Sequence, residues 1–157
     1  MAMTAEKDVR VVSLVLSALS TGGFFGTRVG LGPSTKDFTP ATYVEVQQAT
    51  IRNLRPVMGT LLPSAVMANA AVLALSRRRD RPATFALTGA GLAAQLTSLI
   101  LTGVIELPIN ATVMTWTPAD PPEDWQSLRD RWASVHTVRT VASVVGFGCL
   151  AAAAVRR

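Results

Sequence analysis

Long stretches without a charged side chain constrain this sequence more than any other feature. Such stretches run from Val11 to Thr27, from Pro56 to Ser76 and from Ala83 to Ile105. A helix of about 20 mostly apolar residues crosses the roughly 30 Å hydrocarbon layer of a bilayer. The pattern therefore predicts membrane-spanning helices, and a shorter apolar run near the C-terminus adds a fourth. The predicted spans cover about residues 9–31, 56–76, 83–105 and 138–155.

The composition favours a membrane protein over a soluble helical bundle, which is the alternative explanation of long apolar helices. Of the 157 residues, 49% are hydrophobic and 16% are charged, whereas soluble domains carry about 25% charged residues. The length fits a single domain, residues 1–157. We therefore expect an all-α fold: an integral membrane four-helix bundle with a long outer loop between the first two spans and a loop plus a short helix between the last two.

The distribution of basic residues predicts how the bundle is oriented. Four arginines crowd the short link between the second and third spans: Arg77, Arg78, Arg79 and Arg81. Loops rich in Lys and Arg stay in the cytoplasm, so this link and both termini are expected there, with the protein in the cell membrane. The cytoplasmic segments then hold eight basic and three acidic residues, and the outer segments hold seven of each. Topology and anionic lipid headgroups thus explain the net charge of +5, and no nucleic-acid partner is expected.

Glycines at helical spacing predict close packing of helices. Gly22, Gly26 and Gly30 recur every four residues on the first span. Small residues at this spacing let two backbones approach closely in lipid. We expect these glycines to pack against another helix of the same chain, the alternative being a homodimer contact. Further points of close approach are expected at two glycines in the third span, Gly89 and Gly91, and at two in the fourth, Gly146 and Gly148.

Polar side chains at the outer ends of the spans are candidates for a site, because ionisable groups at membrane depth are costly and mark function. Just before the second span lie Arg52, Asn53 and Arg55. The residues upstream of them are expected to begin this helix outside the hydrocarbon: Tyr43, Glu45, Gln47 and Gln48. After the third span, Glu106 and Asn110 flank Pro108, which is expected to break the helix there. We expect these groups to meet at the outer end of the bundle.

The approach to the fourth span carries a stripe of functional side chains on one helical face. The motif Asp120-Pro121-Pro122-Glu123 predicts a helix start, with Asp as the cap and Pro in the first turn. From there, side chains recur at spacings of three and four: Trp125, Arg129, Trp132, His136, Arg139 and Ser143. Anchoring at the membrane interface explains the outer members and the nearby Arg131. His136 and Arg139 are expected to face Glu106, either as a structural clasp or as a proton-transfer site.

The sequence lacks the ligand patterns of common cofactors. It has one histidine and one cysteine, Cys149, so neither a disulfide nor a cysteine metal cluster is expected. No Gly-rich phosphate loop and no Ser-His-Asp arrangement is recognisable. Any chemistry is therefore expected to proceed without a metal or a tightly bound cofactor.

The segment around the third and fourth spans resembles a known family. Leu107-Pro108-Ile109-Asn110 is followed by Trp116 and then by the run from Trp132 to Arg139. In this pattern the sequence is similar to the anthrone oxygenase-like family of small four-span membrane proteins, with His136 at the polar position between Trp132 and Arg139. The resemblance implies oxidation of polycyclic anthrones to anthraquinones with O2, without metal or flavin.

The residues and the resemblance together give a functional hypothesis: a membrane-embedded, cofactor-independent oxygenase that acts on a hydrophobic polycyclic substrate of the anthrone type. His136 is the expected base, Glu106 is a rival base or the group that orients His136, and Arg139 stabilises the substrate anion. Arginines would hold the oxyanion, amides would hold a carbonyl, and indoles would stack on the rings. The substrate-binding candidates are Arg52, Asn53, Arg55, Asn110, Trp116 and Trp132.

Two non-enzymatic alternatives remain. The same pocket suits a membrane protein that binds a lipid, a quinone or another hydrophobic metabolite, or an accessory subunit, with a Glu106–Arg pair as a clasp. The second alternative is a small exporter, which requires a homo-oligomer because one four-span chain is too small to form a pathway. Turnover of an anthrone, a co-purifying ligand without turnover, and dimer-dependent transport would distinguish the three.

Overall fold

The computed structural model describes residues 2–76 and 81–156, so the predicted arginine cluster at 77–79 lies outside the described residues. The helices are α1 (Ala2–Gly26), α2 (Pro40–Leu75), α3 (Pro82–Leu101), α4 (Leu107–Val113) and α5 (Trp125–Val155). π-Helical turns extend α1 at Thr27–Leu31 and join α3 to α4 at Thr102–Glu106. The predicted all-α class is confirmed. Within the described residues, four helical stretches are long and apolar enough to cross a membrane: α1, α2, α3 with α4, and α5.

The bundle is polar inside and apolar outside, the reverse of a soluble protein. Ser17, Gln95 and Ser143 are completely buried, whereas Val11 and Val141 have 59% and 57% of their surface exposed. In water, such an arrangement would leave large apolar side chains hydrated and polar ones buried. In lipid, the exposed valines meet acyl chains, and the buried hydroxyls bond between helices. The surface is therefore that of a multi-pass membrane protein.

Glycines bring α3 and α5 into close contact, as predicted for Gly91 and Gly146, but the same prediction is wrong for Gly89 and Gly148. An added Cβ would make only an ordinary 3.9 Å contact with Leu73 at Gly89 and would meet no atom within 4 Å at Gly148. A Cβ added at Gly91 would lie 2.6 Å from Cγ of Leu150 and 3.0 Å from the carbonyl oxygen of Gly146. Because the second of these neighbours is backbone, it cannot move aside without separating the helices. The crossing of α3 and α5 therefore depends on the absence of side chains at this point.

The packing predicted for the glycines of the first span is wrong. An added Cβ would meet no atom within 4 Å at any of them: Gly22, Gly26 and Gly30. All three lie on the exposed face of the first span. α1 instead turns its hydroxyl side chains into the bundle, where they can bond, at Ser13, Ser17 and Ser20.

α2 extends well beyond the apolar segment that the sequence marks. Thr39 caps its first turn, since the Thr39 hydroxyl accepts a hydrogen bond from the backbone N–H of Thr42 at 3.2 Å. Its 36 residues continue through Pro56 and Pro63 and span about 54 Å at 1.5 Å per residue, more than the hydrocarbon layer. The expected start of this helix upstream of the apolar segment is confirmed and lies at Pro40, so only residues 32–39 link the two elements.

The helix break predicted at Pro108 is wrong, because a π-helical turn absorbs the proline. The backbone N–H of Leu107 bonds the carbonyl of Thr102, five residues earlier. Pro108 then falls in the first turn of α4, where a missing N–H costs little. The chain continues as helix to Val113, and Glu106 is therefore held within a continuous helical segment.

The helix start predicted at Asp120 is also wrong, since α5 begins at Trp125. Two consecutive prolines explain the delay, because Pro122 disfavours the helical conformation at Pro121. The segment forms a turn in which Asp120 N–H bonds the carbonyl of Thr117 at 3.0 Å. Helical hydrogen bonding begins only after both prolines.

Candidate functional site

An apolar cavity of about 570 Å³ lies at the α4 end of the bundle. It is bounded by all four long helices, with Phe24 on α1, Met58 on α2, Leu99 on α3 and Trp132 on α5 among its lining residues. Its volume is within the range of small-molecule pockets in proteins. The orientation predicted from loop charges would place this end of the bundle on the outer side of the membrane.

Three ionisable side chains meet on the wall of this cavity. The Arg139 guanidinium contacts Oε2 of Glu106 through Nη2 at 2.5 Å, and Oε1 of Glu106 lies 3.5 Å from Nδ1 of His136. Glu106 and His136 are each 1% exposed, and Arg139 is 8% exposed. Buried charges persist when they are paired, and here the carboxylate and the guanidinium compensate each other.

The hydrogen bonds of His136 determine which of its nitrogens carries the proton. Arg139 donates to Nδ1 from Nη2 at 2.8 Å and from Nε at 3.2 Å. Since a guanidinium has only donors, Nδ1 must be the acceptor. The proton therefore lies on Nε2, which donates to the backbone carbonyl of Phe24 at 3.1 Å. In this arrangement the imidazole is neutral and has no free lone pair.

Two buried polar atoms on the cavity wall have no partner among the described residues: Oε1 of Glu106 and Nε2 of Gln47. Both side chains are 1% exposed and both line the cavity. An unsatisfied buried polar group costs about 1–3 kcal/mol, so such atoms are expected to find a partner. One is an acceptor and the other a donor, which suits a ligand that offers both a proton and a carbonyl.

Aromatic contacts hold the cluster in place. The Trp132 ring stacks on His136 with centroids 4.6 Å apart and an interplanar angle of 8°. Its indole N–H donates to Oδ1 of Asn110 at 3.1 Å, which ties α5 to α4. The Phe24 ring lies beneath the Arg139 guanidinium, 4.3 Å from ring centroid to Cζ. One face of Trp132 is thus occupied by His136 and is not free to stack on a ligand.

A hydrogen-bonded cap closes the cavity beyond α4. The side-chain amide of Gln48 donates to the backbone carbonyls of Val113 at 3.0 Å and Trp116 at 2.9 Å. Below these bonds, a buried apolar cluster contains Ile51, Ile109 and Val113 together with Trp132. These contacts join α2 to α4 and α5.

The structure brings together six of the nine predicted site residues. The six that line the cavity are Arg55, Glu106, Asn110, Trp132, His136 and Arg139. Arg52 and Asn53 are exposed on α2 and do not line it. Trp116 also does not line the cavity, because it packs against the apolar clusters of the cap. The predicted inward stripe on α5 is confirmed, since Trp132, His136 and Arg139 are all buried.

Three contributors to the site were not predicted: Gln47, Thr102 and the Phe24 carbonyl. The Thr102 hydroxyl accepts a bond from Nη1 of Arg139 at 2.9 Å. Gln47 lies one helical turn before Ile51 and two turns before Arg55, so the three residues share one face of α2. Extending the face of Arg55 back along the helix would have identified Gln47 as a site residue. A backbone carbonyl such as that of Phe24 leaves no signal in a sequence.

The described residues contain no group of three or more His, Cys, Asp and Glu side chains that could hold a metal ion. The cluster offers one carboxylate and one imidazole, and both are engaged by Arg139. A guanidinium so close to these two ligands would compete electrostatically with a bound cation. The site therefore resembles an anion-stabilising centre more than a metal centre.

Fold and site together define a small multi-pass membrane protein with a carboxylate–guanidinium–imidazole cluster on an apolar cavity. The chain belongs to the anthrone oxygenase family: the family's sequence model, described as Anthrone oxygenase, matches residues 49–149. The match includes Glu106, His136 and Arg139, and it confirms the resemblance seen in the sequence. No curated protein matches the chain, and no solved structure does.

Proposed function

We propose that this protein is a membrane oxygenase that deprotonates a polycyclic ketone of the anthrone type and lets the resulting anion react with O2 without a cofactor. Membership of the anthrone oxygenase family supports the reaction class. The observation that carries the proposal is the unpartnered Oε1 of Glu106, which is buried on an apolar cavity beside Arg139.

Glu106 is the base in this proposal, in preference to His136. The Nδ1 lone pair of His136 is occupied by Arg139, and its Nε2 proton is given to Phe24. Oε1 of Glu106 has no partner among the described residues, so it is free to accept a proton from a bound ring system.

Arg139 keeps the charge of the site balanced during proton transfer. Before the reaction its positive charge is compensated by the Glu106 carboxylate. When Glu106 takes the proton, the negative charge moves to the substrate oxygen, and Arg139 remains nearby to stabilise it. Electrostatic stabilisation by a fixed group in a water-excluded site is a large contribution to catalysis.

The oxidation then balances with O2 as the only other reactant. The carbanion carbon of the anthrone anion forms a C–O bond with O2, and the resulting peroxide takes the proton held by Glu106. Loss of the second hydrogen of that carbon as a proton breaks the O–O bond and leaves a ketone and water. One anthrone and one O2 thus give one anthraquinone and one water, and the enzyme returns to its initial protonation state.

Gln47 and Asn110 orient the ketone in this proposal. The Nε2 of Gln47 is a buried donor without a partner. The Asn110 oxygen is occupied by Trp132, so only its NH2 group is available to a ligand. Donors at the carbonyl stabilise the oxyanion that forms there when the opposite carbon loses its proton.

Turnover of anthrone in lipid nanodiscs tests the proposal. Anthraquinone formation would be measured with and without O2, and O2 uptake would be followed in the aerobic samples. Spontaneous oxidation in empty nanodiscs gives the background rate. Glu106→Gln should lower the enzymatic rate by about a hundredfold or more, as expected for loss of a general base. Glu45→Gln is the matched control, because Glu45 is an exposed glutamate on α2 that does not line the cavity.

The stoichiometry and the metal dependence complete the test. We expect one O2 consumed for each anthraquinone and an undiminished rate in the presence of a chelator. A rate equal to empty nanodiscs for the wild type would reject the proposed reaction. A tightly bound polycyclic ligand without turnover would then favour the binding-protein alternative.

A further inference from the structure

The exposed part of the cavity lining lies on α2 and, opposite it, on the π turn and the first residue of α4. On α2 the exposed lining residues are Leu54, Arg55, Pro56, Gly59 and Thr60. Opposite them, Gly103 of the π turn and Leu107 of α4 are exposed. The lining residues of α1 and α5 are buried or half-buried. The cavity therefore opens between α2 and the π turn, on the side of the bundle.

This mouth has a glycine on each rim. A Cβ added at Gly59 or at Gly103 would meet no atom within 4 Å. Neither glycine is needed for helix packing, so the open space beside them is not explained by the fold. Larger side chains at these two positions would extend into the mouth.

The other route into the cavity, from water beyond α4, is closed. The Gln48 amide bonds the backbone at Val113 and Trp116, and a buried apolar cluster that includes Ile51 and Ile109 lies beneath. Entry from water would require these bonds to break and the cluster to separate. Entry from the side requires neither.

We infer that the cavity is loaded from the bilayer through this lateral mouth, and that Gly59 and Gly103 set its width. The occupant is a flat, apolar, membrane-dissolved molecule, and its identification as a polycyclic ketone rests on the proposed function. Leu54, Pro56 and Leu107 present apolar surface to it along the way. Arg55, at the headgroup end of the mouth, is placed to meet a polar substituent that trails behind the rings.

Quenching of Trp132 fluorescence tests this route without requiring turnover. Trp132 lines the cavity, whereas Trp116 and Trp125 do not, and Trp132→Phe identifies its share of the emission. The probe is a phospholipid with anthraquinone attached to the end of an acyl chain, co-reconstituted with the protein in nanodiscs. Because this probe cannot leave the bilayer, it reaches Trp132 only from the side.

Leucine substitutions at four glycines provide the variants and their controls. Gly59→Leu and Gly103→Leu should each lower the quenching constant by about an order of magnitude, because a filled mouth forces side chains to move before the rings pass. Gly22→Leu and Gly148→Leu make the same change at exposed glycines that do not line the cavity and have equally open surroundings. These controls should be quenched like the wild type, with matching thermal unfolding in all four variants.

Two results would overturn the lateral route: undiminished quenching in both mouth variants, or no quenching of the wild type by the lipid-attached probe. Water-soluble anthraquinone-2-sulfonate should leave Trp132 unquenched, and equal quenching by it would point to entry from water. Anthrone turnover measured on the same nanodiscs separates the two proposals. If the wild type turns over anthrone and the mouth variants are quenched normally, the lateral mouth alone is refuted. If the mouth variants lose quenching but even the wild type shows no turnover, the oxygenase proposal alone is refuted.

Discussion

Arg139 donates to Nδ1 of His136 at 2.8 Å, and this single contact distinguishes the surroundings of the two candidate bases. It occupies the lone pair that His136 would need to accept a proton. The guanidinium lies over the Phe24 ring, and its other polar contacts are to Glu106 and Thr102. The histidine thus positions the arginine, and Glu106 is left as the group with a free oxygen.

If the role of His136 is to accept the hydrogen bond from Arg139, a side chain with an acceptor oxygen should replace it better than alanine does. His136→Asn places an amide oxygen near the position of Nδ1 and should retain a measurable fraction of anthrone turnover. His136→Ala removes the acceptor and should lose about ten- to a hundredfold more, because Arg139 is no longer oriented. The measurement is kcat for both variants in nanodiscs. Equal and complete loss in both would make His136 the base instead.

The Glu106–Arg139 pair should behave as a strongly coupled buried ion pair. Arg139→Met leaves a buried carboxylate without its counter-charge and should cost about 3–5 kcal/mol of unfolding free energy. The double variant Glu106→Gln with Arg139→Met should recover much of that loss. Unfolding in mixed micelles would be measured for these two variants and for Glu106→Gln alone. Asp130→Asn, which breaks the exposed Arg129–Asp130 pair of 2.9 Å, should cost less than about 1 kcal/mol. Additive losses in the double variant would contradict the coupling.

Gln47 and Gln48 are neighbours on α2, but we expect Gln47 to affect turnover and Gln48 to affect stability. Gln47→Leu removes a donor from the cavity and should reduce kcat/KM by about tenfold, the value of one hydrogen bond to a developing charge, with little change in stability. Gln48→Leu breaks two bonds of the cap and should lower stability instead. Gln126→Leu, at an exposed position on α5, is the control for both. A Gln47 variant with unchanged kinetics would show that Nε2 does not meet the substrate.

Replacing glycine by alanine should be tolerated on the first span but should destabilise the protein at the α3–α5 crossing. Gly91→Ala places a Cβ 2.6 Å from Leu150 and should cost about 1–3 kcal/mol of stability through overpacking. Gly22→Ala meets open space and should be neutral or stabilising by up to about 1 kcal/mol, because alanine favours helix. Thermal unfolding in detergent compares the two. Similar effects at both positions would refute the assignment of the crossing point.

The periodic part of the site could be read from the sequence. The stripe Trp132, His136 and Arg139 follows from the 3.6-residue helical repeat, because one face of a helix must turn inward. The pairing with Glu106 followed from the cost of leaving a charge alone in a membrane. These two constraints act on single helices and on charge balance, so they hold whatever the details of packing.

The rest depends on how the helices rotate against one another, which local sequence does not determine. Arg52 and Arg55 are both basic and only three residues apart, yet only Arg55 lines the cavity. A packing role was assigned to both Gly22 and Gly91, yet only Gly91 has it, because the choice of face rests on the sum of many weak contacts. Gln47 was missed for the same reason: helix was expected at this position, but the face of that helix that turns inward was not.

The π turn at Thr102–Glu106 places one extra residue in the third span without changing the direction of the helix that follows. A π turn holds one more residue than an α turn, and its greater width absorbs that residue, so that Asn110 faces Trp132. If the same residues formed α-helical hydrogen bonds instead, everything beyond would rotate by about 100°, and Asn110 would point away from Trp132. The hydrogen bonding of this one turn therefore sets the phase of the whole segment that follows it. Substitutions that favour an unbroken α-helix here are expected to disturb the site even where the replaced side chain does not line the cavity.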